Sequence, residues 1–93
     1  MTREELTTAI VSIKVDTLTC WNIYFNKRAI GDYTSSIQQL EYLRALDIYL
    51  RVLDYYYSLD EEASLTDITT EDIQNTIEAV IACIRTFKTV YYA

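Results

Sequence analysis

Ninety-three residues, 51% of them hydrophobic, with nine Tyr, two Cys, one Gly, no Pro and no His, carry a net charge of -6, which bounds the chain to a single domain. Without histidine the usual general base and transition-metal ligand is missing, and the lone Gly31 cannot build the glycine-rich loops that hold phosphates. Eight basic against fourteen acidic residues argue against direct binding of nucleic acid, whose affinity comes largely from cations laid on phosphates.

So few Gly and Pro leave little to interrupt a helix, and three helical patterns follow in chain order. The first spans about residues 3–29. Thr2 and Glu5 have the spacing of a capping box, and the acidic first turn suits the positive end of the helix dipole. Leu6, Ile10, Ile13, Thr17, Cys20 and Tyr24 recur at steps of three and four, and Val11, Val15, Leu18, Trp21 and Phe25 are read as widening that buried face. Trp21 is expected to fill core. Lys27, Arg28 and then Gly31 are stop signals.

Asp32 or Thr34 is expected to cap a second helix over about 34–58. Leu43, Leu46, Leu50, Leu53 and Tyr57 form one stripe, and Tyr42, Ala45, Tyr49, Val52 and Tyr56 lie beside it. Glu41, Arg44, Asp47, Arg51 and Asp54 alternate in sign along the remaining edge and are expected to pair on a solvated face. Tyr42, Tyr49 and Tyr56 are spaced by seven, and with Tyr57, Tyr91 and Tyr92 they are the candidate partner-binding residues, because tyrosine packs through its ring while its hydroxyl stays wet. A boundary of the core that happens to use Tyr is the plainer reading.

An acidic connector is expected over about 59–69, where Asp60, Glu61, Glu62 and Asp67 stand without a base. Four of the six excess negative charges therefore sit in one turn, and the helices are nearly balanced. A calcium loop from Asp60 to Glu71 fails because Leu65 stands where the loop needs Gly. A solvated loop, or contact with a basic partner surface, fits better. Thr69 with Asp72 suggests the cap of a third helix over about 70–91, where Ile73, Ile77, Val80, Ile84, Phe87 and Tyr91 form a regular heptad stripe. Asn75, Ala79, Ala82 and Thr86 make a strip of small residues where another helix can come close.

The fold expected is all-α: an elongated, antiparallel up-down-up three-helix bundle over 1–93, with completion by oligomer or partner contacts as the alternative for the third helix. Cys20 and Cys83 lack a CxxC spacing and read as reduced, buried thiols, which implies a reducing compartment. No stretch approaches a membrane span, and the acidic start does not read as a secretion leader. No metal, cofactor or catalytic residue is expected, since three thin helices offer little room for a dry, shaped cleft.

The segment QLEYLRALDIYLRVLDYYYSLDEEASLTDITTEDIQNTIEAVIACI, residues 39–84, resembles small helical structural proteins of tailed bacteriophages, in which a Leu- and Tyr-rich helix, an acidic or Thr-rich turn and an Ile-rich helix follow one another. The resemblance implies a virion component of the head–tail connector or tail region, made in the host cytoplasm and present in symmetric copies. Its partners would be other structural proteins or copies of itself, and no catalytic residues carry over. Two further functions are weighed: a small acidic inhibitor that mimics nucleic acid on a host enzyme, and a free-standing regulatory homodimer.

Overall fold

The computed structural model describes residues 2–58 and 67–92. Three helices follow one another: α1 (Arg3–Ala29), α2 (Ser36–Ser58) and α3 (Asp67–Tyr91). All three pack against each other, giving the expected all-α three-helix bundle. It is long and narrow, 50 × 17 × 17 Å, and its radius of gyration of 15.0 Å exceeds the ~12 Å of a compact domain this size. Arg3 meets Tyr57 and Trp21 meets Asp47, so α2 runs antiparallel to α1. Lys88 meets Asp16, and Tyr42 packs on Phe87 and Tyr91, so α3 returns antiparallel to α2.

Helix α1 starts as its sequence dictates. The Thr2 hydroxyl accepts from Glu5 N at 3.1 Å, while the Glu5 carboxylate accepts in turn from Thr2 Oγ1 at 3.2 Å. It ends in a Schellman turn: Gly31 N donates to the Arg28 carbonyl, Asp32 N donates to the Lys27 carbonyl at 2.8 Å, and Gly31 takes φ +78°, which only glycine adopts cheaply. A Lys27–Asp32 ion pair at 3.8 Å closes the same turn.

Two boundaries differ from those expected. Neither Asp32 nor Thr34 caps α2, because Asp32 Oδ1 accepts from Thr34 N two residues on, and Ser35 then takes φ +57° before the helix begins at Ser36. The Gln39 side chain reaches back to the Thr34 carbonyl at 3.1 Å and is buried there. Helix α3 already runs at Asp67, so Thr69 lies inside its first turn instead of before it.

The inner stripe of α1 is buried throughout, and it packs on Leu43, Leu46 and Leu53 of α2 and on Ile73, Val80, Ile84 and Phe87 of α3. The charged edge of α2 behaves differently from its expectation. Asp54 pairs with Lys14 at 3.5 Å and Asp47 accepts from the Trp21 indole at 3.3 Å, so these two carboxylates stitch α2 to α1. Trp21 is correspondingly half-buried at the α1–α2 seam, packed against the edge of the core and stacked on Phe25.

Candidate protein-contact surfaces

The seven-residue spacing places Tyr42 and Tyr49 one above the other on α2, with Ala45 between them leaving room at the surface. Across from them α3 supplies Cys83 and Tyr91, and Gln38 and Glu41 close one end. Together these side chains line a groove of about 430 Å³. Its edge is aromatic and its floor is core: Phe87, fully buried, lies 5.0 Å from the Tyr91 ring and 6.3 Å from that of Tyr42, while Tyr42 and Tyr91 meet edge to face at 6.1 Å. Such tilted pairs are favoured by the ring quadrupoles and hold the rings in place.

The groove is chemically quiet near neutral pH. Burial, then the neighbouring Tyr42 and Glu41, push the Tyr91 phenol above its ordinary range, and burial does the same to the Cys83 thiol, which leans on the Tyr42 carbonyl at 3.9 Å. What it offers a ligand is apolar ring surface with hydroxyls at the rim. Comparison with family models, curated proteins and solved structures brought no match.

The other candidate tyrosines lie elsewhere. Tyr56 is half-buried beside Tyr55. Tyr57, one residue further round the helix, turns to α1: the Arg3 guanidinium sits 4.4 Å over its ring and donates to its carbonyl at 2.8 Å. A hydrogen bond with Thr7, and then the Arg3 charge, draw the Tyr57 hydroxyl below its ordinary pKa. There Thr7, Ile10, Val11, Lys14, Asp54 and Tyr57 line a cleft of about 190 Å³. Tyr91 and Tyr92 border a third cleft of about 340 Å³ with Ile23, Asn26, Lys27 and Ile30 at the C-terminal ends of α1 and α3. The tyrosines grouped by the sequence therefore divide among separate surfaces, and only Tyr42, Tyr49 and Tyr91 share the groove.

Of the acidic connector, Asp60, Glu61 and Glu62 lie outside the described residues, and Asp67 is the first residue of α3. Among the described residues no cluster of acids or thiols could hold a metal ion, and no helix is long and apolar enough to cross a membrane. Both cysteines are free. Cys20 is fully buried, and that burial raises its thiol to about 11, with Asp16 and Cys83 adding to the rise and Lys88 opposing it.

One surface escaped the sequence reading. Val11, Val15, Leu18 and Phe25, taken there as a widening of the buried face, are 56%, 58%, 63% and 55% exposed. The signal was present in their spacing, which is a second run of three- and four-residue steps beside the buried one.

Proposed function

We propose that this chain is a non-enzymatic assembly protein that binds other proteins through its outer helix faces. The observation that carries the reading is that large apolar side chains stand outside a core that is already filled. Val11, Val15, Leu18 and Phe25 do so on α1, Ile37, Ile48 and Tyr55 on α2, and Ile81 and Val90 on α3. Scattered exposed apolar residues are ordinary, but a continuous strip on one helix and an aromatic groove between the other two are what interfaces use. A partner helix laid in the α2–α3 groove would cover Tyr42, Tyr49 and Tyr91 and leave their hydroxyls to its polar edge.

The setting we assign is a symmetric particle such as a tailed-phage virion, on the resemblance carried by residues 39–84. The test is sedimentation velocity of the chain mixed with each structural protein encoded beside it. A stable complex, weakened at least tenfold by Tyr42→Ala together with Tyr49→Ala, supports the reading. Binding to none of them at any concentration would remove it.

A further inference from the structure

Glu41, Asp47 and Asp54 stand three or four residues from Arg44 and Arg51, the spacing at which a helix pairs its own charges. The fold takes those acids elsewhere: Asp54 goes to Lys14 of α1, Asp47 accepts from the Trp21 indole, and Glu41 lines the tyrosine groove. Arg44 and Arg51 are left exposed on α2, with no ion pair, hydrogen bond or ring contact among the described residues. Apart from Arg85 on α3, the other cations are engaged. Lys14, Lys27 and Lys88 form ion pairs, Arg3 lies over Tyr57, and Arg28 lies over Tyr24 and Tyr33.

Both arginines lie on the face of α2 turned about 160° from its buried leucines, at 100° per residue. Ile37, Ile48 and Tyr55 share that face and are 73%, 58% and 61% exposed. Arg44 and Arg51 stand about 10 Å apart along the axis at 1.5 Å per residue. With Asp47 and Ile48 they line a hollow of about 230 Å³. On a chain of net charge -6 this face reverses the sign locally, setting two unpaired cations around an exposed apolar centre.

We propose that this outer face of α2 docks an acidic amphipathic helix of another protein, its apolar side chains on Ile48 and Tyr55 and its carboxylates on Arg44 and Arg51. The proposal rests on the assembly reading above and states the chemistry of one partner. Charge selects the occupant. Guanidinium groups left without carboxylates in their own chain bind those of a partner, in bidentate pairs that strengthen as water is excluded. Because the arginines are one heptad apart, a single helix laid along α2 with acids at the same spacing meets both. A basic helix would meet like charge at each of them. A nucleic acid strand would find two free cations on an acidic chain, with Ile48 between them offering its phosphates no partner. Arg and Tyr around an aliphatic side chain are, in contrast, a common make-up of protein interfaces.

The probe is a labelled synthetic helix three heptads long, with Leu at its a and d positions and Glu residues seven apart, titrated with the chain by fluorescence anisotropy. A second peptide replaces each Glu with Lys. The Glu peptide should bind with a dissociation constant of about 10–100 µM, and the Lys peptide at least roughly tenfold more weakly. Raising the salt from about 50 to 500 mM should weaken the Glu peptide several-fold. Arg44→Glu with Arg51→Glu should invert the preference between the peptides at unchanged helicity, because both positions are exposed. Arg85→Glu, on α3, should leave it as it is. A Glu peptide that fails to bind, one bound no better than the Lys peptide, or a preference untouched by the reversal at Arg44 and Arg51 overturns the proposal. So does a single-stranded oligonucleotide bound as tightly as the Glu peptide and released by the same reversal, which would make the face a phosphate site. Self-association of the chain abolished by that reversal would put a second copy there and overturn it as well. Binding of a structural protein through Tyr42 and Tyr49, with the Glu peptide ignored, would overturn this face alone and leave the assembly reading standing.

Discussion

Replacing Phe87 with alanine probes whether α3 is held by its own chain. Phe87 is fully buried and touches the rings of Tyr42 and Tyr91. Removing it deletes one of the largest buried side chains and opens a cavity beneath the tyrosine groove. Phe→Ala changes in cores cost about 3–5 kcal/mol, and two lost ring pairs put this site at the upper part of that range, about 4 kcal/mol or more. Against a total stability of about 5–14 kcal/mol for a domain of 93 residues, that is more than a quarter of it. Urea denaturation followed by circular dichroism reads the midpoint, and near-ultraviolet dichroism reads the tyrosine packing. The expected result is a large fall in midpoint with a loss of the near-ultraviolet signal. A change below about 1 kcal/mol would mean that Phe87 is not packed within its own chain, and the bundle as described would be refuted.

Other sites give further tests. Thr17 Oγ1 is buried without a hydrogen-bond partner, so Thr17→Val should stabilise the fold by about 1 kcal/mol, read as a raised denaturation midpoint; a lowered one would show that the hydroxyl is satisfied. Gly31→Ala should cost about 1 kcal/mol from its φ of +78° alone, because an added Cβ meets open space. Cys20 is protonated in the fold up to about 11, while in the unfolded chain it loses its proton near the ordinary thiol value of 9.0. The unfolded state therefore binds fewer protons between those values. Stability from this group is complete below pH 9 and falls by about 2–3 kcal/mol on the way to pH 11, a loss that Cys20→Ala should abolish in denaturation measured across that range. Asp32 is held below the usual carboxylate range by its bonds with Thr34, so acidification should release the α1–α2 turn only once pH falls below ordinary carboxylate values, seen as a late shift of the Thr34 amide in a titration.

Much of the bundle was legible because burial and periodicity coincide. The stripe from Leu6 to Tyr24 is the α1 core residue for residue, and the Ile73-to-Phe87 repeat supplies the α3 core. Periodicity alone does not say which of two apolar faces a bundle will bury. Val15 and Leu18 lie outside for that reason: α2 and α3 meet α1 on its other side. Spacing by seven likewise aligns Tyr42 with Tyr49, but the neighbours each ring meets are set by α3, so Tyr57, 100° further round than Tyr56, ends against Arg3. The α2 start was misjudged by two residues because Ser35 adopts a left-handed turn that no residue preference announced. Trp21 packs against the core as expected, but only at its edge, because its indole N–H reaches Asp47 at the α1–α2 seam, a partner that spacing along α1 does not reveal.

That the uncovered apolar faces are contact surfaces for other proteins is the central claim, and amide chemical shifts recorded as each structural protein encoded beside the chain is added test it most directly. Shifts gathered around the groove of Tyr42, Tyr49 and Tyr91 and on the exposed apolar residues of the helix faces, among them Val15 and Leu18, are the predicted result. Spectra that change with none of these proteins, or shifts gathered away from these faces, would contradict it.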